Sequence, residues 1–334
     1  MNRLRYIAFL FLTVIFSCDS EKEKRDKEFS TLESLVSKLE NEGQILGDRL
    51  DSLAHLYQDQ IQNWDSLKSN ADFSKYQFQG AFSTNLPNQD SSLSSVIILN
   101  TTPNWEMAME EVAVTNFLDE MFAGFLKSNA LISQVYSNSS KQVSRVYPAY
   151  DHQNIVDPNI DVREFNFFYA ANEVNNPSKG IVWIKDTYVD PAGRGWILSL
   201  VHPIYRGNEL FAVLGADFTV DDIINNYFDT HQGEYILANT KGDIIAGKSK
   251  AIEMLSMPPL KNHVYQETVK SEFFRVSDFN LFNSKSREVR RMAQEFLLNK
   301  KDEFYFEEEK NLNKAICRPV KGIDWILFQI IPSK

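Results

Sequence analysis

Cysteine is almost missing from this chain: its 334 residues hold only Cys18 and Cys317. A disulfide framework is therefore excluded as a source of stability. The five histidines, His55, His152, His202, His231 and His263, form no pair at metal-ligand spacing and have no neighbouring cysteine, so no metal site is expected. No Gly-x-Ser-x-Gly elbow, phosphate-cradling glycine loop or dinucleotide fingerprint occurs, so neither an enzyme nor a bound cofactor is expected. Ser199 and His202 stand near Asp217, but so loose a set arises readily by chance. Positive charge is in deficit, with 35 Lys and Arg against 45 Asp and Glu and a net charge of −10, which makes nucleic acid an unsuitable partner.

What is present suits a folded, exported protein. The chain is long enough for two modules with separate cores, and its 43% hydrophobic and 24% charged residues match a globular composition. The 24 Phe and 13 Tyr suit strands and apolar pockets. Arg3 and Arg5 precede an apolar run from Tyr6 to Phe16, shorter than the roughly 20 residues a spanning helix needs, and residues 1–17 read as a signal peptide. Cys18 follows Val14-Ile15-Phe16-Ser17, which resembles a loose bacterial lipobox with a small residue directly before the cysteine. The implied product is an extracytoplasmic lipoprotein acylated at Cys18, with the leaflet left open. The other reading is an ordinary secretory signal with an incidental cysteine. An acylated Cys18 cannot pair, so Cys317 is expected as a reduced, buried residue of a late strand.

Residues 19–28 have no apolar member, and residues 18–30 are expected as a solvated tether. A spine helix is expected over 31–70, where Leu32, Val36, Leu39, Gly43, Leu46, Leu50, Leu53, Tyr57, Gln60, Trp64 and Leu67 follow a 4-3 spacing along roughly 54 Å. Two readings of that stripe are open: a parallel homodimeric coiled coil, or a helix packed on its own chain. A Val-Ile-Ile-Leu strand at 95–100 and a helical stretch from Glu106 to Lys127 follow. Strand patterns then dominate at 133–136, 180–184, 196–201 and 210–214, and a short helix is expected over 221–228. A hairpin at 235–246, a basic amphipathic helix at 286–300 and strands at 304–306, 314–318 and 325–331 complete the chain. The expected class is α+β, with antiparallel sheets flanked by helices in two modules, 80–228 and 229–334, joined by the long N-terminal helix.

Three segments carry a family resemblance: Asp186-Thr-Tyr188-Val-Asp190, Pro203-Ile-Tyr205, and Val213-Leu-Gly215-Ala-Asp217 with its continuation to Asp222. They resemble the ligand-pocket half of a double Cache sensor, a pair of PAS-like modules. Glu234 to Ala246 resembles the opening hairpin of that family's second module, and Gly322-Ile-Asp-Trp325 its closing strand. The resemblance implies a sensor whose membrane-distal module holds a small ligand, an amine or amino acid. In membrane receptors of this kind a transmembrane helix and signalling domain follow the last strand. Here Lys334 ends the sequence, so the expectation is that any signal passes to an unidentified partner protein. A Cache fold that has lost its ligand and serves as a scaffold is the alternative.

In the amino-acid-binding branch an Arg from an Arg-x-Trp-Tyr motif holds the ligand carboxylate, while a Tyr-x-Asp element and the Asp of a Gly-x-Asp turn hold its ammonium. The resemblance thus implies ligand roles for Tyr188, Asp190 and Asp217. The Arg motif is replaced by Phe165-Asn-Phe167-Phe168, and Arg163 could substitute only if this segment is extended. Phe167, Phe168, Trp183 and Tyr147 are the candidate aromatic walls, with Phe167 and Phe168 on alternate faces of an extended segment. Acids among aromatics without a fixed cation favour a cationic ligand. Asp217 as a mere turn cap at a strand end is the competing reading. Asp157-Pro-Asn159-Ile-Asp161 opens like a calcium loop, but Val162 and Phe168 stand where Gly and Glu are required. Lys285, Arg287, Arg290, Arg291, Lys300 and Lys301 make a basic surface: a solvated face, or one that meets anionic lipid or an acidic partner.

Overall fold

The computed structural model describes residues 3–87, 89–184, 187–190, 196–257 and 279–333, and the side chains of all of these except 3–21 and Val189. They form two compact units, one of residues 42–226 and one of residues 3–41, 227–257 and 279–333. The class is α+β, with a long N-terminal helix and two antiparallel sheets.

Helix α1 (Arg3–Gln62) takes in the expected spine. It also runs through 19–28, correcting the expected tether. That segment lacks apolar residues, yet it is held as helix by ion pairs: Lys24 with Glu28 at 3.9 Å, Arg25 with Glu303 at 3.1 Å, and Glu28 with Lys314 at 2.6 Å. Leu32, Leu35, Val36 and Leu39 are buried in one unit, and Leu46, Leu50, Leu53, Ala54, Tyr57 and Ile61 in the other. The stripe that a coiled coil would need is thus consumed by the chain's own packing. The spine breaks at Asn63, and a separate short helix α2 (Trp64–Ser69) follows, with Leu67 half-buried rather than in the seam.

In the larger unit nine strands form one sheet: β1 (Phe78–Gln79), β2 (Phe82–Ser83), β3 (Ser95–Ile98), β4 (Gln134–Ser139), β5 (Val143–Tyr147), β6 (Val182–Trp183), β7 (Tyr188–Val189), β8 (Trp196–Arg206) and β9 (Glu209–Thr219). Their order is β1-β2-β3-β5-β4-β9-β8-β6, with β7 also paired to β8 and every pairing antiparallel. The period of two divides the residues between faces. On one face Val96, Ile98 and Val143 pack against Ala108 and Val112 of α3 (Trp105–Val114), which a turn separates from α4 (Leu118–Lys127) where one helix was expected. Tyr57 of α1 meets that same face, its hydroxyl 3.0 Å from Ser137 Oγ.

This covered face also buries charge. Arg145, 1% exposed, donates to Asp119 Oδ1 at 2.8 Å and to the Val112 carbonyl at 2.8 Å, while Tyr76 and Ser94 donate to the same carboxylate oxygen. The guanidinium thereby ties β5 to both helices, and removing either partner would strand the other charge in the interior.

The smaller unit has the sheet order β11-β10-β14-β13-β12, from β10 (Glu234–Asn239), β11 (Ile244–Gly247), β12 (Glu303–Tyr305), β13 (Leu312–Val320) and β14 (Trp325–Pro332). β10 and β11 are the expected hairpin, closed by Asn239 Oδ1 accepting from the Lys241 and Asp243 N–H groups, with Gly242 at φ +91°. Helix α9 (Arg287–Ala293), reached after α5 (His152–Ile155), α6 (Asn166–Tyr169), α7 (Val220–Ile223) and α8 (Ser249–Met254), packs Val289, Met292 and Ala293 into this unit's core. Cys317 on β13 is buried and unpaired, and burial pushes its thiol up to about 12.

Glu111 of α3 is 2% exposed, and its Oε2 has no hydrogen-bond partner. Burial raises its pKa from 4.5 to about 7, against the lowering influence of Ser139, Lys141 and Arg145. Between these values the folded chain keeps a proton that the unfolded chain releases, so stability falls as pH rises through this window and levels off above it. The loss is on the order of 3 kcal/mol. Urea midpoints at pH 5 and pH 8 should differ less in Glu111→Gln than in the wild type; an equal difference would refute this assignment.

Candidate functional site

The face of the larger sheet that carries Val162, Phe167 and Phe168 holds a cavity of about 50 Å³. Its polar floor comes from β4 and β9, whose register aligns their side chains, and β8 braces it from the side. Gln134, Tyr136 and Asn138 of β4 share a face, and Gln134 stands opposite Asp217 and Tyr136 opposite Gly215 on β9. Ser199 of β8 stands opposite Asp217 from the other side. Apolar walls come from Ile97, Val146, Val156, Ile160, Val162, Phe165 and Phe167. By the usual space per enclosed water, this volume admits roughly three to five water-sized groups.

Asp217 is 1% exposed, and the partners of its carboxylate include two neutral donors: Ser199 Oγ to Oδ1 at 2.5 Å and Gln134 Nε2 to Oδ2 at 2.6 Å. Because a carboxylate only accepts, Ser199 must spend its proton on Asp217, so Tyr188 OH, 2.5 Å from Ser199 Oγ, is the donor in that second bond. The same logic fixes the Gln134 amide with its NH2 toward Asp217. Its Oε1 is then an acceptor without a partner, as is Asn138 Oδ1, and the Tyr136 hydroxyl, a donor as well as an acceptor, also lacks one. All three atoms are buried and all three residues line the cavity. Burial, with Asp217 nearby, keeps Tyr136 and Tyr188 far above the usual phenol range, so both stay protonated.

Gly215 makes this arrangement sterically attainable. An added Cβ there would overlap the Tyr136 ring at Cζ and at the hydroxyl oxygen. Gly215 and Asp217 lie within β9 rather than in the expected turn, and the glycine lets an aromatic ring lie across that strand and bring its hydroxyl toward Ser199 and Tyr188.

Of the residues singled out in the sequence, Asp217, Asp190, Tyr188 and Phe167 line this cavity. Four others do not. Trp183 pairs with Leu200, whose side chain lies on the opposite face from Ser199, and its ring packs on Phe218 at 5.6 Å. Tyr147 ends β5 one position out of phase with Ser144 and Val146, and its hydroxyl donates to the Ser91 carbonyl. Phe168 is core, because 166–169 is helical rather than extended. Arg163 sits in a 3-10 turn, Val162–Glu164, with its side chain 55% exposed and folded back onto Asp161 at 2.5 Å. That pairing holds the Asp161 carboxyl far below its ordinary value and leaves Arg163 outside the lining.

Gln134, Tyr136 and Asn138 escaped the sequence reading, which noted Phe165 only as the residue in the Arg position and set Ser199 aside as a chance neighbour of Asp217. Asp186 and residues 191–195 lie outside the described residues, as does His263; the Cys18 side chain does too. Among the described residues no lining side chain is cationic, no His, Cys, Asp and Glu cluster could hold a metal, and no helix is long and apolar enough to cross a membrane.

No family model matches this sequence, and no curated protein matches it. Similar solved structures include the ligand-binding domain of the Pseudomonas aeruginosa amino acid chemoreceptor PctB with L-Gln, at 15% identity over 85% of this chain and 90% of that one, TM-score 0.44. Another is the ligand-binding domain of Campylobacter jejuni chemoreceptor Tlp3 with L-norvaline, at 14% identity over 91% and 92%, TM-score 0.42. A third is that of Pseudomonas fluorescens chemoreceptor CtaA with L-alanine, at 15% identity over 86% and 98%, TM-score 0.45.

Gly215→Ala should cost about 1–3 kcal/mol in urea unfolding, because the methyl forces the Tyr136 ring out of place. In a Tyr136→Ala background the same substitution should cost little. Equal costs in both backgrounds would mean the ring does not depend on the glycine.

Proposed function

We propose that this chain is an extracytoplasmic double Cache-type sensor that binds a small primary amine, or the ammonium of a small amino acid, in the cavity beside Asp217. The observation that carries this reading is the row of buried, unpartnered polar atoms, Gln134 Oε1, Tyr136 OH and Asn138 Oδ1, around an open cavity on the face that bears Asp217. Each such atom costs about 1–3 kcal/mol when left unsatisfied, a penalty that a bound donor removes. An ammonium supplies three donors and no acceptor, and its charge is complementary to the carboxylates of Asp190 and Asp217. The rings of Tyr136, Tyr188 and Phe167 offer cation–π contact in addition. The volume supports a ligand no larger than a few heavy atoms.

A cavity lost to function would be packed by its own aromatics, so the open space supports the sensor reading over a scaffold. Occupancy would be passed to a partner protein, the chain being tethered through a lipid on Cys18. The resemblance of its N-terminal segment to a lipobox supports the tether.

Methylamine, ethanolamine and glycine should raise the melting temperature, with a stabilisation near 2.7 kcal/mol at about 100 times the dissociation constant. Asp217→Asn preserves the shape and removes the charge, and should weaken amine binding roughly 10- to 150-fold, the worth of a hydrogen bond to a charged group. Unchanged affinity in that variant would remove the model, and no shift with any amine or amino acid would favour the scaffold. In cells fed labelled palmitate the protein should carry label that Cys18→Ala abolishes; label persisting in the variant would refute the anchor.

A further inference from the structure

The smaller unit carries a second concavity unrelated to the cavity at Asp217. Arg287, Arg290, Arg291, Gln294 and Leu298 fall at three- and four-residue spacing along α9 and the π-helical turn Gln294–Leu298 that continues it. With Phe282 they line an open depression of about 510 Å³. The opposite side of the same helix, Val289, Met292, Ala293, Phe296 and Leu297, is core. Three guanidiniums thus converge on a chain whose net charge is −10.

Their partners among the described residues neutralise that charge only in part. Arg290 donates to the Ser284 and Lys285 carbonyls, which fix its position without cancelling its charge. Arg287 makes no ion pair among the described residues. Arg291 is the one of the three with an ion pair among the described residues, 3.6 Å from the buried Glu288 carboxylate, and its guanidinium also lies 5.5 Å from the centre of the Phe304 ring. Glu309 is bound by Ser286 Oγ rather than by an arginine. The rim is apolar: Leu298 is 65% exposed, and Phe282 is half-buried. A soluble anion would need the guanidiniums but not an exposed leucine beside them.

We propose that this depression docks the headgroup of an anionic phospholipid at a bilayer surface, with the phosphate among Arg287, Arg290 and Arg291 and with Leu298 against the acyl–glycerol boundary. Guanidinium matches phosphate in charge and in bidentate geometry, and an apolar residue beside a basic stripe is the pattern of interfacial helices. The inference rests on the lipid-anchored reading only for the presence of a membrane.

The test is co-sedimentation of the full chain with vesicles of phosphatidylcholine alone and of phosphatidylcholine with phosphatidylglycerol. Insertion of the apolar N-terminal segment would add partition to both vesicle types in wild type and variants alike, so failure of the anchor and failure of the docking surface give different results. The expected outcome is extra partition onto the phosphatidylglycerol vesicles that high salt removes and that falls about fivefold for each arginine replaced in Arg287→Gln and Arg287→Gln/Arg290→Gln. Leu298→Gln, an exposed change, should lower it without altering the unfolding midpoint. Equal partition onto the two vesicle types, or an anionic preference unchanged in the double variant, would overturn the proposal. So would glycerol phosphate raising the melting temperature while the vesicles show no preference, since that would assign the depression to a soluble phosphate.

Discussion

The buried carboxylate of Asp217 is the constraint on which the larger unit's inner face depends. A charge that is 1% exposed must be met by donors, and here two neutral ones meet it, from strands on either side. Each donor then becomes committed. Ser199 has no proton left for Tyr188, so Tyr188 must give its own, and Gln134 must turn its carbonyl oxygen away from the carboxylate. One buried charge thus dictates the hydrogen-bond direction of three neighbours and leaves an acceptor without a partner. A folded protein rarely keeps several such atoms together unless a ligand or water completes them.

The two faces of this sheet handle polarity in opposite ways. On the face covered by α1, α3 and α4, Arg145 and Asp119 are enclosed by Tyr76, Ser94 and the Val112 carbonyl, a nearly closed set. On the other face the polar row of β4 opens on a cavity. The closed set fixes how β5 sits on its helices; the open set is available to a ligand. The difference follows from the strand period, since 143 and 145 face one way and 144 and 146 the other.

Much of the fold was legible because its signals are local. The 4-3 stripe of α1, the alternation and turns around β8 and β9, and the hairpin from Glu234 correspond to elements that form where the pattern says. The helix extends beyond its expected start where Arg25 and Glu28 pair with Glu303 and Lys314, long-range contacts that leave no periodic trace. The site was legible only in part. Asp217, Asp190, Tyr188 and Phe167 sit in recognisable motifs, whereas β4 is buried at all six positions, so its sequence carries no alternation to say which residues face inward.

The sequence by itself determined the secondary-structure periods, the acidic balance, and the glycine at 215 that a close ring approach requires. Tertiary structure decided which strand faces turn toward the cavity, and hence that Gln134, Tyr136 and Asn138 belong to it while Trp183 and Tyr147 do not. It also decided that 162–164 is a 3-10 turn and 166–169 a short helix, which commits Arg163 to Asp161 and Phe168 to the core. The physical reason is that a strand's period fixes alternation but not its phase relative to a pocket. Phase is set by pairing partners that, for β4 and β9, lie 83 positions apart in the chain between Gln134 and Asp217.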